Sequence, residues 1–65
     1  MNKTQRFRIL EGIISLSKME GTGTPSSLAS RYDISERSVK RMVKEIRESG
    51  INILYDRYKM SYVIK

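Results

Sequence analysis

The chain is expected to form one mainly α-helical domain, three helices followed by a small β-hairpin, and three observations lead there. Apolar residues recur at helical spacing in three segments, the last two separated only by Asp33-Ile34-Ser35. After Gly50 the period changes from helical to two. With 65 residues there is room for one core and one domain, 1–65.

Helix 1 is expected over about Gln5 to Lys18, with Thr4 as N-cap. Phe7, Leu10, Ile13 and Ile14, joined by Ile9 and Leu16, supply its apolar positions. Gly12 inside it costs roughly 1 kcal/mol against Ala. Glu20-Gly21-Thr22-Gly23 ends the helix, because two glycines so close together favour a turn. Thr22 to Thr24 leave room for one or two residues of strand. Thr24-Pro25 then opens helix 2, about 25–32, with Thr as N-cap and Pro at the first helical position.

Leu28, Ala29 and Tyr32 form the apolar stripe of helix 2, and Asp33 occupies the turn that follows. The backbone there often needs a positive φ, which Asp tolerates better than most residues. Ser35 is the expected N-cap of helix 3, about 36–49, with Ser38 where a complete capping box would carry Glu. Gly50 is its expected left-handed C-cap. Val39, Met42, Val43 and Ile46 follow the i, i+3, i+4, i+7 rule. At about 100° per residue, Arg37, Lys40, Arg41 and Lys44 fall on the opposite side. A helix packed by one stripe and offering cations on the other is suited to a DNA major groove.

The tail, 51–64, alternates: Ile51, Ile53 and Tyr55 on one side of the expected hairpin, with Met60, Tyr62 and Ile64 opposite. Asp56-Arg57-Tyr58-Lys59 is the expected loop. Phe7, Tyr55 and Tyr62 are expected in the core or at its edge. Leu54 and Val63 face the other way, either as an exposed apolar patch or as a covered cross-strand pair.

Composition narrows the function classes. The formal net charge is +6 and the sequence pI near 10.0, a balance that favours anionic partners. The chain has no Cys and no His, so disulfides and the usual zinc sites are excluded, and neither a cofactor nor a metal is expected. No Gly-rich phosphate loop is present and the seven acidic residues form no motif, so no enzyme is expected. No apolar run approaches the roughly 20 residues of a membrane span. A soluble cytoplasmic, nucleoid-associated protein without membrane partners is the expectation.

Leu28-Ala29, Ile34-Ser35, Arg37-Ser38-Val39-Lys40-Arg41, Ile46, Gly50-Ile51 and Ser61-Tyr62 together resemble the winged helix-turn-helix family of bacterial regulators. The DeoR-like and biotin-repressor-like branch is the nearest in pattern, and the resemblance runs from about Arg6 to Ile64. It implies three helices with a two- or three-stranded antiparallel wing, Ala29 where helix 2 meets helix 3, and double-stranded DNA as partner. It also implies that Ser35, Glu36, Arg37, Ser38, Lys40, Arg41 and Lys44 approach the major groove. Two features depart from the pattern: the loop Asp56 to Lys59 lacks Gly, and Ser61 stands before Tyr62 where relatives often carry Gly. A hairpin without Gly can use a four-residue loop built on a type I turn.

The resulting assignments are specific. Arg37 and Arg41 address bases, since a planar guanidinium can meet guanine O6 and N7 together, and Ser38 joins them. Lys40, Lys44 and Ser35 meet phosphate. Ser26 and Ser27 at the start of helix 2 either cap backbone N–H groups or touch phosphate, capping being the first role. Arg57 and Lys59, by analogy with wings, reach phosphate or the minor groove, and Lys3, Arg6 and Arg8 offer backbone contacts from helix 1. Glu45 and Glu48 are placed to pair with Arg41 or Lys44. The expected role is transcriptional regulation, as a stand-alone protein or the N-terminal domain of a larger one, as a homodimer or with an attached regulatory domain. Two alternatives remain: an architectural or recombination accessory factor of excisionase type, and a protein-interaction domain using Leu54 and Val63.

Overall fold

The computed structural model describes residues 2–65. Three helices, α1 (Lys3–Lys18), α2 (Pro25–Tyr32) and α3 (Glu36–Glu48), precede two strands, β1 (Ile53–Asp56) and β2 (Ser61–Ile64). The strands pair antiparallel, with Ile53 opposite Ile64 and Asp56 opposite Ser61. Helix α2 packs on α3, α1 packs on both β2 and α3, and α3 also touches β1. The arrangement is that of a small winged helix.

Helix α1 starts earlier than expected. Asn2, not Thr4, is the N-cap, and its side-chain oxygen accepts from the Gln5 N–H at 2.8 Å. Asn is among the strongest N-caps, and this start adds two residues, Lys3 and Thr4, to the helix. At the other end the Gly21 N–H reaches back to the Leu16 carbonyl at 2.9 Å while Glu20 sits at φ 57°. This six-to-one closure is the Schellman type. The turn after α2 has the same form: Ile34 N–H to Ala29 O at 2.9 Å, with Asp33 left-handed at φ 54°. Thr24 and Ser35 cap α2 and α3 as expected, each accepting from the N–H three residues on. Helix α3 ends at Glu48, one residue early; Ser49 is its cap and Gly50 carries the positive φ of 105°.

The core is Ile9 and Ile13 from α1, Leu28 and Ala29 from α2, Val39, Met42, Val43 and Ile46 from α3, and Ile53 and Tyr62 from the hairpin. Burying each large aliphatic side chain contributes roughly 1.5–3 kcal/mol. Tyr55 packs edge-on against Tyr62 with ring centroids 5.1 Å apart. Phe7 is not in this core: it is 61% exposed. Two residues before Ile9 it lies about 160° around the helix, and Ile9 and Ile13 face the core instead. Gly12 is explained by packing, since a Cβ there would stand 2.2 Å from the Tyr32 hydroxyl.

The hairpin and the segment beside it differ from expectation in two ways. Its loop is Arg57 to Met60, one residue later than expected, and Met60 leaves the alternation at φ 52°. Asp56 Oδ1 accepts from the N–H groups of Tyr58 at 2.9 Å and Lys59 at 3.1 Å, so a carboxylate and a left-handed Met do the work of the missing glycine. Thr22 is not in a strand, but it lies beside β2. The Thr22 N–H donates to Ser61 Oγ at 3.0 Å and the Tyr62 N–H donates to Thr22 Oγ1 at 2.8 Å. Both hydroxyls are buried, so side chains satisfy the outer edge of β2 where a third strand would. Of the two arrangements open to Leu54 and Val63, the covered cross-strand pair is the one found: they face each other across the strands, with Val63 3% exposed and Leu54 half-buried.

Candidate nucleic-acid interface

Helix α3 builds this site because its two faces differ in chemistry. Val39, Met42, Val43 and Ile46 are buried, which fixes the helix's rotation about its axis. Arg37, Lys40, Arg41 and Lys44 are consequently exposed, and among the described residues none of them is in an ion pair. The expected pairing of Glu45 or Glu48 with Arg41 or Lys44 does not occur. Glu45 lies on the flank facing α1 and pairs with Arg6. Among the described residues the four cations are thus left outside any ion pair.

The N-terminal end of α3 is locally rigid. Ser35 Oγ accepts from the Ser38 N–H at 3.1 Å and donates its own proton to Ser38 Oγ, also at 3.1 Å. Ser38 therefore keeps its hydroxyl proton to give. It is half-buried and shares a shallow groove with Arg6, Arg41 and Met42. A second depression beside it is lined by Gln5, Ile9, Tyr32, Asp33, Ile34, Ser35 and Ser38. Gln5 was not foreseen there; no sequence signal joins it to the turn, because only packing of α1 across the end of α3 does so. Arg6 was foreseen as a cation but not as the partner of Glu45.

At the start of α2, Ser26 and Ser27 are exposed. The Ser27 N–H donates to Thr24 Oγ1 and the two hydroxyls lie 3.1 Å apart, so Ser27 belongs to the cap, while Ser26 projects free of it. The wing separates its two cations. Lys59 Nζ meets Glu20 Oε2 at 2.5 Å, and that contact raises the lysine's pKa above its usual value. Arg57 is exposed and outside any ion pair among the described residues. Arg47 is also spoken for: its Nε donates to the Ile53 carbonyl at 3.1 Å, tying the end of α3 to β1.

Among the described residues no group of acidic side chains is arranged to hold a metal ion. No helix among the described residues is long and apolar enough to cross a membrane. Comparison with family models, with curated proteins and with solved structures returned no match for this chain.

Proposed function

We propose that this protein binds double-stranded DNA in a sequence-specific manner, as a winged helix-turn-helix transcriptional regulator or the DNA-binding part of one. The observation that carries the reading is the set of four exposed, unpaired cations of α3 directly opposite its four buried residues. A major groove about 12 Å wide admits one helix, and a helix so placed would turn Arg37 and Arg41 toward base edges. Lys40 and Lys44 would meet the phosphates on either side. Ser26 and Ser35, near the positive ends of α2 and α3, suit further phosphate oxygens.

On the wing, Arg57 is the better phosphate partner, because Lys59 would first have to leave Glu20. One module of this size buries a modest surface, so a second copy or an attached domain would supply the remaining specificity. The test is selection of duplexes from a random library by the full chain, followed by sizing of the complex. A recurring site, with two half-sites if the protein acts as a pair, is the expected result. Recovery of no duplex above background at low salt would overturn the proposal.

A further inference from the structure

The tip of the hairpin carries an unusual combination of side chains. Of the four large apolar residues that lie exposed among those described, two, Tyr58 and Met60, stand in its four-residue loop. Tyr58 is 102% exposed, so its ring lies wholly in solvent, and Met60 is 58% exposed. Arg57 beside them brings a free guanidinium.

The backbone beneath these side chains is nevertheless held on both sides. Asp56 Oδ1 accepts the Tyr58 and Lys59 N–H groups, Lys59 is fastened to Glu20, and Ser61 is fastened to Thr22. The Asp56 carboxylate is occupied in this way and Glu20 is neutralised by Lys59, so repulsion of a nucleic acid at the tip is reduced. The same two tethers bring the tip against the loop leading into Pro25, Ser26 and Ser27, where α2 begins.

We propose that this loop is a wedge: Tyr58, seconded by Met60, enters the minor groove flanking the α3 site and levers one base step apart, while Arg57 holds the adjoining phosphate. The inference rests on the duplex-binding reading above and deepens it. An apolar side chain inserted between base pairs, with cations alongside, unstacks a step and kinks the duplex. A tyrosine ring stacks on any base face, so this contact adds affinity with little sequence preference of its own. Because the loop is already ordered, inserting it loses little backbone freedom.

The experiment uses the duplex recovered by selection, with the fluorescent base analogue aminopurine placed in turn at each flanking position. Binding of the wild-type chain raises the fluorescence at one step. A mismatch at that step, which removes the unstacking cost in advance, tightens binding by about tenfold. Tyr58→Ala, at a position with no packing to lose, still binds the intact duplex but shows neither the fluorescence rise nor the mismatch preference. Tyr58→Phe keeps both, since the ring and not the hydroxyl does the stacking. A wild-type complex with no unstacked step, or an unstacked step that survives Tyr58→Ala, overturns the wedge while leaving duplex binding in place. Loss of both signals in Tyr58→Phe overturns it as well. Absence of any duplex binding removes the wedge together with the reading beneath it.

Discussion

At the scale of single residues, each cation's structural surroundings decide what it can do. Arg6, Arg47 and Lys59 are held by Glu45, the Ile53 carbonyl and Glu20, whereas Arg37, Lys40, Arg41 and Lys44 are not. Arg41→Ala is expected to weaken binding to the preferred duplex by ~1–3 kcal/mol and to relax preference at one base position, as read by competition with single-base variants of the site. Lys44→Ala should weaken all sequences alike and lower the salt slope by about one unit. Equal losses on all sequences for Arg41→Ala would make it a phosphate contact. Tyr62 gives a separate, pH-dependent test. Burial, then the neighbouring Tyr55, raises its phenol above the ordinary 10.0, with Arg47 acting in the opposite sense. The folded state therefore keeps this proton more tightly than the unfolded chain does, and the associated stability is present below pH 10.0 and lost as pH rises through the folded value. Denaturant midpoints should fall above that pH in the wild type, and Tyr62→Phe should flatten part of the fall.

At the scale of elements, the helices were legible in the sequence and the wing only partly so. Pro25, Asp33 and Ser35 set the ends of α2 and the start of α3 through local backbone chemistry, which neighbouring residues suffice to reveal. The buried stripe of α3 and its opposed cations follow from angular spacing alone. Phe7 was misplaced because helix 1 is apolar over too wide an arc for spacing to choose its inner side; β2 and α3 make that choice. Ser61 was conspicuous as a departure from the family pattern, but its reason lies with Thr22, nearly forty residues away, and no local rule reaches that far. Here the buried hydroxyl pair replaces a third strand. Thr22→Val leaves the Tyr62 N–H without its acceptor and Ser61→Ala leaves the Thr22 N–H without its own. Either is expected to lower stability by ~1–3 kcal/mol in urea titration, with the helices otherwise retained. A midpoint unchanged by both substitutions would mean that water replaces these bonds without loss.

At the scale of the whole molecule, one small core fixes the relation of three candidate contacts: α3, the start of α2 and the hairpin tip. Helix α1 serves chiefly as the platform, packing on β2 and α3 together. Its Arg6 neutralises Glu45, one turn along α3 from Arg41, and Lys59 neutralises Glu20 at the tip. The excess of +6 is therefore unevenly spread, with the unpaired charge of α3 lying on its exposed face. The apolar groove between α1 and α3, lined by Phe7, Leu10, Ile14 and Ile46, has no expected contact with DNA. That contrast makes DNA binding through α3 and the hairpin tip directly testable by titrating isotope-labelled protein with duplex DNA and following each backbone amide. The largest shifts are expected at Ser26, from Ser35 to Lys44, and at Arg57 and Tyr58. Shifts concentrated instead on Phe7, Leu10 and Ile14, or no shifts at low salt, would contradict it.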